Sequence, residues 1–220
     1  MLFSDPTSSP AETLVTELRD YPEWHRGRER YGVWVVPVDQ PPLFSYIEHV
    51  RRQLADLLHP CSERQPHLTV FVCGFHQPAR MENDDFTPEL LRRQIAVLEN
   101  AASVARTLPL AQPDSFASAA FIPVRDPEGQ LAHWRAMLEG VSPEVRQAVY
   151  IPHITLGLYR RRVSAEVIRR RLSNIEPPTV PLVMNQLHYV TYLARSQLGA
   201  LQSHYRLQLA SSGEVIAASR

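Results

Sequence analysis

A chain of 220 residues with 44% hydrophobic and 21% charged residues has an ordinary globular composition and is long enough to bury a core. Its formal net charge of zero excludes the overall positive field that non-specific nucleic-acid binders use, so any polyanion contact must be local. All 23 basic residues are arginine, and the absence of lysine excludes a lysine–adenylate intermediate, a Schiff base and a phosphate-loop lysine.

Two cysteines, Cys61 and Cys73, are the only thiols, and they form neither a disulfide framework nor a zinc-binding spacing. Residues 1–10 lack a basic region followed by an apolar one, so we expect no signal peptide. No apolar run approaches the roughly 20 residues that cross a membrane. We therefore expect a cytoplasmic monomer that contacts no membrane.

The pattern of apolar residues predicts helices and strands that alternate along the chain. Ser9 can cap a helix, Pro10 suits its first position and Glu12 can complete a capping box, which predicts a helix to about Asp20. Further helices are predicted over 43–58, 87–106 and 131–138, as a single turn from 142, and after 164. Strands are predicted over 31–38, 66–75, 108–112, 116–124, 151–160, 180–193 and 205–209.

A five-residue pattern occurs twice, each time at the start of a predicted strand. The first copy, PHLTV, begins at Pro66, and the second, PHITL, begins 86 residues later at Pro152. Successive side chains of a strand point to opposite faces, so each histidine shares a face with the threonine two positions on. The aliphatic residues then face a core. Two such strands side by side would surround one small space with two histidines and two threonines.

His67, Thr69, His153 and Thr155, here called the tetrad, have the chemistry of a phosphate site that needs no metal. Two imidazoles that titrate near neutral pH can act as general base and general acid. Two hydroxyls can donate hydrogen bonds to an anion without adding charge. For a single histidine the simpler interpretation is a partly buried strand residue, but the matched flanks of the two copies favour a site.

The repeat and the order of elements together predict the fold. An offset of 86 residues is too long for a solenoid and suits a duplicated lobe. Short spacings between the last strands favour antiparallel pairing, so we predict the α+β class. The expected form is two pseudo-symmetric lobes, each a small, mostly antiparallel sheet with outer helices, and an active-site cleft between them. The predicted division is an N-terminal tail and helix over 1–30, a bilobal domain over 31–210 and a flexible tail over 211–220.

The two copies resemble the paired motifs of the two-histidine (2H) phosphoesterase superfamily, which includes the bacterial 2′-5′ RNA ligase and cyclic phosphodiesterase family. Residues 32–38 resemble that family's opening strand, and residues 187–209, with Ser196, Leu198 and Tyr205, resemble its closing segment. The resemblance covers most of the predicted bilobal domain. It implies a cleft lined by both motifs, with 2′,3′-cyclic nucleotides or 2′-5′-linked RNA ends as typical substrates.

By the same resemblance, His67 and His153 are the catalytic residues, and Thr69 and Thr155 bind the substrate phosphate. The family analogy implies that His153 is the base that deprotonates water and His67 the acid that protonates the departing ribose oxygen. A bell-shaped dependence of the rate on pH should accompany either assignment.

Five other residues are candidates for substrate binding, and each has a structural alternative. Phe75 and Tyr159 share strand parity with the tetrad and could stack on a base or pack in the core. Arg160 and Arg162 follow the second motif, where the family often carries an arginine, and could reach a phosphate or lie on a solvated surface. Tyr205 matches the family's late tyrosine, and packing is its alternative role.

The sequence thus predicts a metal-independent phosphodiesterase, without a cofactor, that opens 2′,3′-cyclic phosphates of nucleotides or RNA ends. Alternatives with the same chemistry are reversible 2′-5′ RNA ligation and cleavage of 3′-5′ or cyclic-oligonucleotide linkages. Without lysine, such a ligase would have to start from a cyclic phosphate. A different class of alternative is a non-catalytic RNA-binding module, which would not need two titrating groups. The neutral net charge favours short substrates over long RNA.

Overall fold

A computed structural model describes residues 2–5, 7, 9–60, 63–101, 103–146 and 148–211. Along this part of the chain the elements are α1 (Pro22–His25), β1 (Arg30–Pro37), α2 (Pro41–Gln53), β2 (His67–His76), β3 (Asp85–Phe86), α3 (Pro88–Asn100), β4 (Arg106–Leu108), β5 (Asp114–Ser115), β6 (Ala119–Pro123), α4 (Gln130–Glu139), β7 (His153–Leu158), α5 (Ala165–Ser173), β8 (Leu182–Met184), β9 (Gln186–Leu193) and β10 (Gln202–Gln208). Every predicted strand overlaps an observed one. Apart from Ser211, the predicted flexible tail lies outside the described residues.

One mostly antiparallel sheet forms the centre of the fold, with strands in the order β10-β9-β1-β2-β7-β6-β5. β3 adds to β2 in parallel, and β4 and β8 form a separate antiparallel pair. α4 packs against β2, α2 against β7 and α5 against β5, while α3 packs on α4. The predicted α+β class is confirmed, and the pseudo-symmetry of the two lobes stays a prediction. Within the described ranges, no helix is both long and apolar enough to cross a membrane.

The sheet forks at β2, which carries the first motif. β1 pairs with β2 along its length. β7, which carries the second motif, meets β2 through a single register pair, Leu68 opposite Ile154. The far end of β2 pairs instead with β3. The two motif strands therefore touch at the motifs themselves and diverge beyond them.

Aliphatic residues of both motifs anchor these strands in the main core. Leu68 and Ile154 are both 0% exposed, and the same core contains Trp34 of β1 and Trp134 of α4, which are also fully buried. The histidine and threonine of each motif are half-buried, so buried and half-buried positions alternate as strand parity predicts. Packing on one face thus fixes which side chains the other face presents.

The prediction of a helix over 9–20 is wrong. No helix forms between residues 9 and 20, and amides of this segment bond to other parts of the chain. Thr13 N–H donates to the Val163 carbonyl at 2.9 Å, and Leu14 N–H donates to the Ala117 carbonyl at 2.7 Å. The capping signals are local, whereas these bonds satisfy the backbone through residues distant in sequence, and they outweigh helix propensity.

The helical turn predicted from Ser142 is also wrong, because this segment bonds to β2 instead. Glu144 accepts a hydrogen bond from the Val72 amide at 2.9 Å, and the Val145 amide donates to the Val72 carbonyl at 3.2 Å. Glu144 also forms an ion pair with Arg135 of α4. The helices predicted over 43–58, 87–106, 131–138 and after 164 are confirmed as α2 to α5, with shifted ends.

Candidate active site

The register of β2 and β7 brings the tetrad together. Because Leu68 lies opposite Ile154 in an antiparallel pair, His67 lies across from Thr155, and the second histidine lies across from the threonine of the first motif. Directly opposed Cβ atoms in such pairs are about 5 Å apart, and diagonal neighbours are about 7 Å apart. The two histidines are therefore diagonal neighbours with a hydroxyl beside each. The space between them suits one phosphate group.

Both histidines are held in the same tautomer by the same local bond. Nδ1 of His67 donates to the Gln65 carbonyl at 2.8 Å, and Nδ1 of His153 donates to the Ile151 carbonyl at 2.6 Å. A carbonyl can only accept, so Nδ1 carries the proton in each neutral ring and Nε2 keeps a lone pair. Each imidazole can thus accept or, once protonated, donate a proton through Nε2.

The surroundings of His67 favour its neutral form. The pKa of His67 is lowered to about 4, mainly by burial, with smaller contributions from the positive charges of Arg64, His153 and Arg51, while the hydrogen bond to the Gln65 carbonyl opposes the shift. Part of the ring meets solvent, but protein atoms surround it closely enough that the loss of hydration dominates. His67 is therefore a neutral proton acceptor at neutral pH.

His153 lies among aromatic rings. Its imidazole makes edge contacts with Phe116 and Phe121, with ring centroids 5.0 and 5.3 Å away. Burial lowers its pKa, the Ile151 carbonyl opposes this, and the charge of Arg146 lowers it further. The two phenyl rings restrict the imidazole, so Nε2 keeps a fixed direction.

Burial of these histidines makes stability depend on pH. An unfolded histidine has a pKa near 6.5 and folded His67 has a pKa of about 4, so between these values the unfolded chain binds more protons. The free energy of unfolding should therefore fall as pH decreases from 6.5 towards 4, and the fall should be shallower in the His67→Gln variant. Urea midpoints across this range test this, with the exposed His49→Gln as control. An unchanged slope in His67→Gln would contradict it.

Two side chains bond to the backbone where the motif strands diverge. The Tyr150 hydroxyl donates to the Thr69 carbonyl at 2.8 Å, and Nε of Arg51 donates to the Leu156 carbonyl at 2.8 Å. Burial raises the pKa of Tyr150, which keeps its hydroxyl a neutral donor. The sequence did not identify either residue, and the closeness of Tyr150 to the second motif is the signal that could have pointed to it.

A cavity of about 340 Å³ opens on one side of the tetrad. His67 and Thr155 line it, whereas Thr69 and His153 lie beyond its wall. We call it the arginine cavity, because its charged lining residues are Arg51, Arg52, Arg64 and Glu48. Its aliphatic lining includes Ala55, Leu58, Leu158 and Leu198. The reacting position thus lies at one edge of this cavity and not at its centre.

Two aromatic candidates lie in the core, which is the structural alternative named for each of them. Phe75 is 0% exposed and packs against the rings of Trp24 and Tyr31. Tyr159 is 1% exposed, and its hydroxyl shares a hydrogen bond with Ser115 at 2.7 Å. Both share parity with the tetrad, but they lie near the strand ends, where the same face is covered by other elements. Neither ring lines the arginine cavity.

The three remaining candidates also lie outside the cavity lining. Nε of Arg160 donates to the Asp56 carbonyl at 3.4 Å, and Arg162 forms an ion pair with Glu12 at 3.1 Å. The hydroxyl of Tyr205 donates to Glu99 at 2.6 Å. Positive charge near the tetrad comes instead from residues that precede the first motif. Among the described residues, no group of three or more His, Cys, Asp or Glu side chains is placed to hold a metal ion.

Comparison with known proteins identifies the family. Residues 37–195, which include both motifs, match the model of the 2′-5′ RNA ligase superfamily. The chain belongs to the 2′-5′ RNA ligase superfamily. The resemblance to 2H phosphoesterases inferred from the motifs is thereby confirmed, and an enzyme of the phosphoesterase type is supported. No curated protein matches the sequence.

Solved structures show the same fold at low identity. Escherichia coli LigT in its apo form is 16% identical, with 84% of this chain and 99% of that chain covered and a TM-score of 0.60. A complex of LigT with 3′-AMP is 16% identical, with 83% and 99% covered and a TM-score of 0.53. A conserved protein of unknown function from Agrobacterium tumefaciens is 14% identical, with 83% and 86% covered and a TM-score of 0.56.

Proposed function

We propose that this member of the 2′-5′ RNA ligase superfamily is a phosphodiesterase that opens 2′,3′-cyclic phosphates without a metal. One observation carries the proposal, namely the register pair of Leu68 and Ile154, from which it follows that the two histidines are diagonal neighbours on adjacent strands. Each histidine presents Nε2 for proton transfer, and each has a threonine hydroxyl beside it. Positioned acid–base groups of this kind contribute about 10²–10⁴-fold to a rate.

The reaction uses one proton transfer at each histidine. The base removes a proton from water, whose oxygen bonds to phosphorus, and one bond between phosphorus and a ribose oxygen breaks. The acid gives its proton to that ribose oxygen. The threonine hydroxyls donate hydrogen bonds to the non-bridging phosphate oxygens, where negative charge develops. The product is a 2′- or 3′-phosphomonoester with the neighbouring hydroxyl free.

The surroundings of the two histidines favour His67 as the base and His153 as the acid. A base must be neutral before the reaction, and burial, with smaller contributions from Arg64 and Arg51, disfavours the protonated form of His67. This assignment is the reverse of the one that the family resemblance implies. The rings of Phe116 and Phe121 then orient the acid.

The comparisons support nucleotides as the substrate class indirectly, through a ligand of a structurally similar protein. LigT has been crystallised with 3′-AMP, which is one of the two products expected from opening of adenosine 2′,3′-cyclic phosphate. The family model takes its description from 2′-5′ RNA ligation, which favours ligation as a second candidate. A ribose hydroxyl would then attack the cyclic phosphate in place of water, with the same two histidines. Hydrolysis and ligation are distinguished by incubating the protein with one RNA that ends in a cyclic phosphate and another that has a 5′-hydroxyl. Only ligation forms a new 2′-5′ linkage between them.

The proposal is tested with adenosine 2′,3′-cyclic phosphate in the presence of EDTA, with phosphorus NMR of the product. We expect conversion to a single phosphomonoester and a bell-shaped dependence of kcat/KM on pH. Since the pKa of each histidine is lowered in the protein without substrate, both apparent pKa values of the bell-shaped profile should lie below the ordinary histidine value of 6.5. Absence of turnover on any phosphodiester, with RNA still bound, would overturn the proposal and support an RNA-binding module.

A further inference from the structure

The arginine cavity has an excess of positive charge in a chain whose net charge is zero. Three arginines and one glutamate line it, while His67, at its edge, is neutral because its pKa is lowered to about 4. Two positive charges therefore remain in excess beside the reacting position. A concave site with this balance favours an anionic ligand over a neutral one.

Arg64 is built into the wall of this cavity. Its Nε donates to the Gly199 carbonyl and its terminal nitrogen donates to the Gln197 carbonyl, both at 2.7 Å. Its guanidinium also lies over the ring of Tyr192, 4.0 Å from the centroid. Burial lowers the pKa of Arg64, yet a guanidinium stays protonated at neutral pH. The cavity thus contains a fixed, partly buried cation.

The other two arginines lie in the last turn of α2 and differ in their partners. Arg51 forms an ion pair with Glu48 at 2.8 Å and bonds to the backbone of β7, so its charge is largely compensated. Arg52 is exposed, and its side chain makes no hydrogen bond or ion pair with any residue that the structure describes. Arg52 is therefore the side chain that can turn towards an incoming anion, and Arg64 adds its fixed positive charge.

Part of the cavity wall is aliphatic. Leu58, Leu158 and Leu198 line it, and no Phe, Tyr or Trp of the described chain does. Leu58 lies over Gly157, where an added Cβ would come within 2.9 Å of its side chain, so a larger residue at that position would push this wall inward. Flat apolar surfaces of this kind can pack against a base. A volume of about 340 Å³ is near the lower end for ligand pockets and fits one nucleotide.

The covalent structure of a 2′,3′-cyclic phosphate limits which parts of the substrate can enter this cavity. A ribose whose 2′ and 3′ oxygens both bond to the reacting phosphorus has two further substituents, the base and the group at the 5′ oxygen. With the phosphorus held in the tetrad, whatever enters the cavity past His67 and Thr155 must be one or both of these. The aliphatic wall suits the base and the two arginines suit a charged 5′ group.

We propose that the arginine cavity binds the nucleoside together with a phosphate at its 5′ oxygen, so that this phosphate, held by Arg52 and Arg64, selects the substrate. The inference rests on the proposed function, because it assumes that the tetrad holds the reacting phosphorus. The 5′ phosphate can belong to a free nucleotide or to the preceding link of an RNA chain. Both sources present the same anionic oxygens.

Binding of product analogues tests the site without turnover. Isothermal titration calorimetry compares the affinities of adenosine 3′-monophosphate and adenosine 3′,5′-bisphosphate. Only the bisphosphate has a 5′ phosphate that can enter the cavity. The bisphosphate should bind about tenfold tighter or more, as expected for charged hydrogen bonds. Arg52→Gln and Arg64→Gln should each reduce this preference, whereas Arg170→Gln, an exposed arginine of α5, should leave it unchanged. Equal affinities for the two ligands in the unaltered protein would overturn the inference.

Turnover separates the two sources of the 5′ phosphate. The substrates are adenosine 2′,3′-cyclic phosphate, its 5′-phosphorylated form, and a dinucleotide that ends in a cyclic phosphate. A gain in kcat/KM with the 5′ monoester assigns free nucleotides, a gain with the dinucleotide assigns RNA ends, and either supports the inference. Turnover of all three at equal kcat/KM overturns it and leaves the proposed function intact. Absence of turnover with a retained preference for the bisphosphate overturns the proposed function and leaves the anion site intact.

Because Arg64 bonds to the backbone at Gln197 and Gly199, its variant could also disturb the loop before β10. Arg52→Gln avoids this, since that side chain is exposed and its removal breaks no bond in the described chain. A preference for the bisphosphate that survives both substitutions in folded proteins would contradict the role given to these arginines.

Discussion

Replacement of either tetrad histidine by alanine should lower kcat for cyclic phosphate opening by about 10²–10⁴-fold. Each imidazole transfers one proton in the same step, so the effects should not multiply, and the double variant should be little worse than the poorer single variant. His49→Ala, an exposed histidine of α2, is the matched control and should keep full activity. A loss of less than tenfold in either His67→Ala or His153→Ala would contradict a proton-transfer role for that residue.

A substrate with a better leaving group distinguishes the acid from the base. Departing p-nitrophenolate needs no proton, so a variant that lacks only the acid should recover much of its activity on bis(p-nitrophenyl) phosphate. With His153 as the acid, His153→Ala should recover and His67→Ala should not. The opposite pattern would overturn the assignment drawn from the surroundings of His67 and restore the one that the family resemblance implies.

Leu68→Ala should lower the free energy of unfolding by about 2–5 kcal/mol, because it removes a fully buried side chain and leaves a cavity. Leu68 is also one half of the only register pair between the motif strands, so a loss of kcat should accompany the loss of stability. Leu14→Ala, at a position 56% exposed, should change stability by no more than about 0.5 kcal/mol. Urea unfolding monitored by tryptophan fluorescence measures both.

A double-mutant cycle measures the interaction between Leu68 and Ile154 directly. If Leu68 and Ile154 pack on each other, the double alanine variant should differ from the sum of the single variants by about 0.5–3 kcal/mol. Independent effects of the two substitutions, or a Leu68→Ala variant as stable as Leu14→Ala, would contradict the packing that holds the tetrad together.

The tetrad could be predicted because its signal is local and repeated. Strand parity places each histidine with its threonine, and the aliphatic residues between them show which face is buried. The sequence could not give the register, since a single pair, Leu68 opposite Ile154, is formed by residues far apart in the chain. The fork of the sheet at β2 has no signature in either motif.

The other site predictions depended on contacts that parity does not reveal. Tyr159 has the parity of the tetrad, but Ser115, from a different strand, meets its hydroxyl in the core. Arg162 follows the second motif but is paired with Glu12, a residue of the segment that the local capping signals wrongly assigned to a helix. Arg52 and Arg64 precede the first motif, and no local pattern marks them as cavity residues.

The most direct test is turnover of adenosine 2′,3′-cyclic phosphate in EDTA by the unaltered protein and by the His67→Ala/His153→Ala double variant. The paired-histidine account predicts full activity of the unaltered protein in the chelator, and loss of at least about 10²-fold in a double variant whose fold is intact by circular dichroism. Activity that disappears in EDTA, or that survives in the double variant, would contradict it.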